Sequence, residues 1–266
     1  MTSNIYPVAR YEQATEAIAW LCRAFGFEKQ AVFPGPNNTV AHAELRFGTG
    51  VIGLSSAGPV DPANVWTTVR EGIYACIEDP DAHYARAQAA GATIERELKD
   101  TDYGAREYSV RDHEGHLWSF GTYGMTPEPG APVFYPGLRY TSGSAAVDFL
   151  TRAFGLTAGL RVPGDDGDIQ HAELWLGNGV MMMSAGADPC GCWSGRTQCT
   201  NVHAADPDSH YAQASSAGAR IVQGLENTAY GSRGYIVQDL AGFLWSFSTY
   251  RPTPARLSAF ASVQCL

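Results

Sequence analysis

The stretch YGAREYSVRDHEGHLWSFGTY, Tyr103 to Tyr123, returns as YGSRGYIVQDLAGFLWSFSTY, Tyr230 to Tyr250. Tyr108 and Val110 (Tyr235 and Val237 in the second copy) alternate on the way in, and Trp118 and Phe120 (Trp245 and Phe247) on the way out. That is the two-residue period of a strand. Between them, Asp112-His113-Glu114-Gly115 and Asp239-Leu240-Ala241-Gly242 supply the Asp start and Gly end of a tight turn. Each copy therefore predicts a β-hairpin with one apolar face. A hairpin repeated intact predicts a duplicated domain.

Working outward, His42 recurs as His171 and Phe25-Gly26 as Phe154-Gly155, 129 residues on. Beyond the next loop the offset is 127, relating Asp79-Pro80 to Asp206-Pro207 and Gly91 to Gly218. The loop from Ser56 to Gly72 is thus two residues shorter in the second copy. The sequence predicts domains at 1–125 and 133–251, a Pro- and Gly-rich linker at 126–132 and a tail at 252–266. Each domain divides again into βαβββ modules, in the first copy near 5–57 and 72–123. Ala14, Ile18, Leu21, Cys22 and Phe25 recur at helical spacing before Gly26, and Asp79-Pro80 reads as the cap and first turn of a second helix that Gly91 closes.

Composition excludes several classes of function. Lys+Arg 18 against Asp+Glu 27 leaves a net charge of −9 with no basic run, which argues against nucleic acid as a partner. No apolar stretch reaches the ~20 residues that span a bilayer, and MTSNIYPVAR lacks the form of a secretory signal. A cytoplasmic location is the expectation. Cys190, Cys192 and Cys199, with His203, have a spacing that matches no familiar zinc site and read as free thiols in an irregular loop.

The helix end AIAWLCRAFGF (Ala17 to Phe27), the HAEL strands (His42 to Leu45 and His171 to Leu174) and the D-x-x-G-H-L-W-S-F hairpin resemble the vicinal oxygen chelate superfamily. This group includes glyoxalase I, bleomycin-resistance proteins and extradiol dioxygenases. The resemblance implies an α+β fold of two tandem domains. Each would be a pair of βαβββ modules forming a cup-shaped, barrel-like mixed sheet with helices outside. The superfamily's enzymes hold a divalent ion with His or Gln, Glu, His and Glu on the first and last strands of paired modules. The corresponding positions here fall on Tyr6, Tyr135, Ser119 and Ser246, with Gly72 and Cys199 on the other first strands. No metal and no other cofactor is expected.

Strand alternation picks the residues that would line the cups instead. In AHAELRF, His42, Glu44 and Arg46 face away from the apolar side, as do His171, Glu173 and Trp175 in the second copy. Tyr6, Val8 and Arg10 share that parity, as do Tyr135, Gly137 and Arg139, and Met182 is a further candidate. Each His–Glu pair is either a cross-sheet hydrogen bond or solvated edge, or a ligand-contacting or acid–base pair, and each Arg either an anion clamp or a salt-bridge partner. Trp118, Phe120, Trp245 and Phe247 have helix-side parity and read as core.

The expectation is a protein that sequesters a small organic ligand such as an antibiotic or natural product. The alternative is an enzyme of the same superfamily, of lyase, isomerase or dioxygenase type, or a metal-free acid–base catalyst. The two domains are expected to pair within the chain, and a homodimer is a further option.

Overall fold

The computed structural model describes residues 5–57, 72–123, 134–186, 198–228 and 231–251. Module 1 comprises β1 (Ile5–Tyr11), α1 (Ala14–Phe25), β2 (Glu28–Pro34), β3 (Val40–Phe47) and β4 (Gly50–Ser56). Module 2 comprises β5 (Gly72–Cys76), α2 (Pro80–Ala89), β6 (Thr93–Asp100), β7 (Arg106–Arg111) and β8 (Leu117–Gly121). In module 3 these are β9 (Phe134–Tyr140), α3 (Gly143–Phe154), β10 (Thr157–Pro163), β11 (Ile169–Leu176) and β12 (Gly179–Ala185). Module 4 has β13 (Gln198–His203), α4 (Pro207–Ser216), β14 (Arg220–Asn227), β15 (Arg233–Gln238) and β16 (Leu244–Ser248). The linker, the tail, Cys190, Cys192 and Cys265 lie outside the described residues.

Local chemistry sets the helix ends. Gly26 closes α1 in the left-handed region at φ 75°, which a Cβ would strain. The Asp79 side chain accepts from Ala82 N at 3.0 Å to cap α2, and Asp206 accepts from Ser209 N at 3.1 Å to cap α4.

The strands form two eight-stranded mixed sheets, in the orders β14-β15-β16-β13-β1-β4-β3-β2 and β10-β11-β12-β9-β5-β8-β7-β6. The α+β class and the cup-like sheets are as the resemblance implied. The partnership of modules differs. Each repeat does not close its own cup. Module 1 joins module 4 through antiparallel β1–β13 pairing, with Tyr6 opposite Asn201, and module 2 joins module 3 through β5–β9, with Tyr74 opposite Tyr135. Backbone hydrogen bonds decide such a junction, and hydrophobic periodicity carries no record of which strand edge meets which.

The cores lie mainly within the repeats, with Ile5 packing into the core of the second and Phe134 into that of the first. Ile18, Leu21 and Phe25 pack with Ile73, Tyr108, Trp118 and Phe120, while Leu150 and Phe154 pack with Val202, Tyr235, Trp245 and Phe247. Each repeat is therefore one apolar unit that contributes half of each sheet. At ~25 cal/mol per Å² of buried apolar surface, these aromatic clusters are the main stabilising contribution.

The repeated hairpin is tied to its own repeat by a buried carboxylate. Asp112 accepts from Tyr11 OH at 2.6 Å, Trp118 Nε1 at 3.1 Å and the amides of Glu114 and His116. Asp239 repeats this with Tyr140 OH at 2.6 Å, Trp245 Nε1 at 3.1 Å and the amides of Ala241 and Phe243. The turn Asp thus also links the first strand of one module to the last strand of the next. A second tie runs through α2, where His83 bridges Tyr108 OH at 2.6 Å and Phe25 O at 3.1 Å. His210 makes the same bridge in the second repeat. Arg106 and Arg233, at the start of each hairpin, hold Asp81 and Asp208 in bidentate pairs at 2.7 Å.

Candidate functional site

The concave face of the first sheet, cup A, belongs to modules 1 and 4 and opens on a cavity of about 600 Å³. From module 1 it is lined by Tyr6, Val8 and Arg10 of β1, Ala41 and His42 of β3, and Ser55 of β4. Module 4 supplies Cys199 and Asn201 of β13, Gln223 and Glu226 of β14, Ile236 of β15, Ser246 and Ser248 of β16, and Tyr250. Most of these are neutral groups that donate or accept hydrogen bonds.

One wall of cup A is built on Glu44, which is 1% exposed. Its carboxylate accepts from Gln30 Nε2 at 2.7 Å and from Tyr250 OH, and His42 Nε2 stands 3.5 Å from Oε1. Burial pushes the Glu44 carboxyl up, but hydrogen bonds from His42, Tyr250 and Gln30 outweigh it and hold it below the usual carboxylate value. The Tyr250 bond joins module 4 to module 1. Arg10 does not take this carboxylate: its Nη2 donates to Ser56 O at 3.3 Å, and burial lowers its pKa.

Cup B, from modules 2 and 3, holds the other candidates. Tyr74, Tyr135 and Val180 form a buried cluster against Cys76, Tyr123 and Met182. Tyr123 OH donates to Glu173 Oε1 at 2.7 Å, matching Tyr250 on Glu44. Tyr123 N donates to Tyr74 OH at 3.0 Å, the Cys76 thiol donates to Tyr123 O at 2.7 Å, and Ser119 and Ser109 share a hydrogen bond at 2.9 Å. Glu107, 3% exposed, pairs with Arg96 at 2.7 Å. Burial lowers the His171 pKa, and the Glu173 charge partly offsets it. Trp175 lies at the margin, 38% exposed, with its indole over Gly159. Arg139 sits on β9 opposite Ser184.

The candidate residues thus separate by module. Tyr6, Arg10, His42, Glu44 and Ser246 belong to cup A, and Ser119, Tyr135, Arg139, His171, Glu173, Trp175 and Met182 to cup B. Tyr6 shares a cup with Ser246 rather than with the Ser119 of its own repeat. The positions facing them on the other first strands are Asn201, opposite both Tyr6 and Ser246, and Tyr74, opposite Tyr135 and Ser119. They displace Cys199 and Gly72 from the sequence-based assignment. Gln30 and Tyr250 gave no sequence signal beyond the recurrence of Tyr123.

The two cups differ at equivalent positions. Where cup B has Tyr74, Glu107 and Met182, cup A has Asn201, Gly234 and Gly53. A Cβ on Gly234 would lie 2.4 Å from Ser248 Cβ and 2.6 Å from Phe247 O, so no side chain fits there without movement. In cup B that neighbour is Gly121, which leaves room for Glu107. At these positions the side chains of cup B are larger than those of cup A.

Among the described residues no three His, Cys, Asp or Glu side chains come together as a metal site. The row at the superfamily's metal position is Tyr6, Asn201 and Ser246 in cup A and Tyr135, Tyr74 and Ser119 in cup B. Burial pushes the phenols of Tyr74 and Tyr135 well above their usual range, so they stay protonated. Neutral phenols, hydroxyls and one carboxamide offer no charge to a divalent ion, and this donor set does not fit one.

The profile of the Glyoxalase/Bleomycin resistance protein/Dioxygenase superfamily matches residues 6–120 and 135–247, and the chain belongs to that family. Its backbone is similar to glyoxalase I from Zea mays, with a TM-score of 0.72 at 15% identity over 97% of this chain and 93% of the other. An uncharacterized protein of Mycobacterium bovis is 34% identical over 123 residues, 43% of this chain and 81% of the relative. TioX from Micromonospora sp. ML1 is 39% identical over 44% of this chain and 94% of its own, with a TM-score of 0.37. No helix among the described residues is long and apolar enough to cross a membrane.

Proposed function

We propose that the chain binds a small organic ligand in cup A and sequesters it, as a protein acting on an antibiotic or other natural product would. The observation that carries this reading is the contrast between the cups. Cup B carries Tyr74, Glu107 and Met182, while cup A has Asn201, Gly234 and Gly53 there and opens on a cavity of about 600 Å³, a volume within the usual range for ligand pockets. The uncharged, non-chelating donor row supports binding over metal chemistry.

The test is a titration of the full chain with a panel of planar natural products, with the ligand recovered afterwards. Wild type binds and returns the ligand intact. Asn201→Tyr, which writes the Tyr74 of cup B into cup A, abolishes binding. Binding unaffected by Asn201→Tyr would refute the assignment to cup A.

A second reading rests on His42 beside the ionised Glu44 at the cavity wall: metal-free acid–base catalysis. It requires chemically altered ligand on recovery, with turnover lost and binding retained in His42→Ala. Stoichiometric metal in chelator-free protein would overturn both readings.

A further inference from the structure

We propose that Asn201 and Ser246 form the recognition element of cup A, and that they select a neutral ligand edge carrying a hydrogen-bond donor beside a carbonyl, as in a lactam, an imide or a hydroxy-ketone. The proposal rests on the reading that cup A is the binding site. It adds the chemical class of what enters.

Register brings the pair together. Asn201 is opposite Tyr6 on one side and Ser246 on the other, on adjacent strands ~4.8 Å apart, and all three side chains line the cavity. The matching positions in cup B are satisfied within the protein. Ser119 shares a hydrogen bond with its cross-strand neighbour Ser109, and Tyr74 OH accepts from Tyr123 N. In cup A the neighbour across from Ser246 is Ile236, which has nothing to offer a hydroxyl. The phenol of Tyr74 is replaced by the shorter carboxamide of Asn201. Among the described residues neither the Asn201 nor the Ser246 side chain has a protein hydrogen-bond partner. Cup B has spent its polar groups on itself, whereas cup A keeps two pointed at open space.

The chemistry of the pair limits its partner. A carboxamide presents an N–H donor beside a carbonyl acceptor, and a hydroxyl can do either. An amide edge meets a lactam or imide edge through two antiparallel hydrogen bonds, and Ser246 can donate to the same ligand carbonyl. A carboxylate in that place is acceptor-only: it can take the Asn201 N–H and the Ser246 hydroxyl but leaves the Asn201 carbonyl without a donor. A wholly apolar edge would leave both side chains without water or partner, which costs affinity.

Fluorescence titration of the full chain with 1,8-naphthalimide and N-methyl-1,8-naphthalimide tests this, because the second replaces the imide N–H by a methyl group, and the Asn201 variants separate loss of the donor from added bulk. Wild type should hold the imide about tenfold more tightly, the upper end of what one hydrogen bond supplies. Asn201→Leu should bring the two ligands to equal affinity, and Ser246→Ala should weaken the imide severalfold. Asn201→Asp keeps the shape but offers only acceptors, so it should also lose the preference; it serves if Asn201→Leu fails to fold by circular dichroism. Equal affinities in wild type, or a preference that survives both Asn201 variants, overturn the proposal. If Ser55→Trp, which blocks the cavity from another strand, still expels both ligands, the cup A reading stands without it. No binding of either probe, or binding indifferent to Ser55→Trp, overturns both.

Discussion

Asp239 sits in the turn of the second hairpin, buried, accepting four hydrogen bonds from Tyr140, Trp245 and two backbone amides. Burial pushes its carboxyl up from 3.8 to about 6, against the lowering effect of those donors. A shift of about two units corresponds to about 3 kcal/mol between protonation states. The folded protein therefore binds a proton more readily than the unfolded chain between those values. The contribution of this group is fully present at low pH and is lost as pH rises through about 6. Replacing Asp239 with Asn keeps the size and a carbonyl acceptor but removes the titration. Unfolding free energies of wild type and Asp239→Asn should be measured by denaturant titration from about pH 7 to about pH 4. The difference should shift by about 2 kcal/mol in favour of wild type by pH 4, most of the full effect. A flat difference, or one that favours wild type more as pH rises, would refute the reasoning, since the four donors would then hold the ionised form at no net cost.

His83 should act in the opposite sense. Burial lowers its pKa to about 4, so its contribution is present above the ordinary value of 6.5 and is lost on acidification, by about 3 kcal/mol in full. His83→Gln should flatten that acid limb in the same denaturant series. Arg233→Ala breaks an exposed bidentate pair with Asp208 and should lower stability only slightly, with loss of the effect in high salt. Burial pushes the Cys76 thiol up to about 11, so native protein at neutral pH should leave it unmodified by a thiol reagent read by peptide mass spectrometry, while denatured protein labels fully. Tyr123→Phe removes a hydrogen bond to the Glu173 carboxylate and should lower stability by about 1.5–3 kcal/mol in a denaturant titration.

Much of the architecture is legible in the chain. The period-two apolar faces of the hairpins, the Asp-Pro caps and the Gly26 and Gly155 stops follow from local geometry, and Trp118 and Trp245 lie in the cores as their parity required. The exchange of modules was not legible, because β1 meets β13 through backbone groups that every residue possesses. Alternation in AHAELRF placed His42 and Glu44 on the concave side, and the structure has His42 on the cavity. Asn201 gives no sequence signal, because β13 follows a segment with no period and its register has no local anchor. The Glu44 contacts with Gln30 and Tyr250 are long-range side-chain meetings, the latter 206 residues apart, and no short window contains them.

The strand that joins module 4 to module 1 closes a loop from Ile5 to Val202, most of the described chain. During synthesis, modules 2 and 3 have both walls of cup B in hand well before the last module emerges. Cup A has only half of its wall until β13 to β16 are made. Closing so long a loop is entropically unfavourable and slow, and it comes late. A molecule seated between β1 and β16 would bridge the two extremes of the fold. Its binding would therefore select chains whose synthesis and folding have reached the final hairpin.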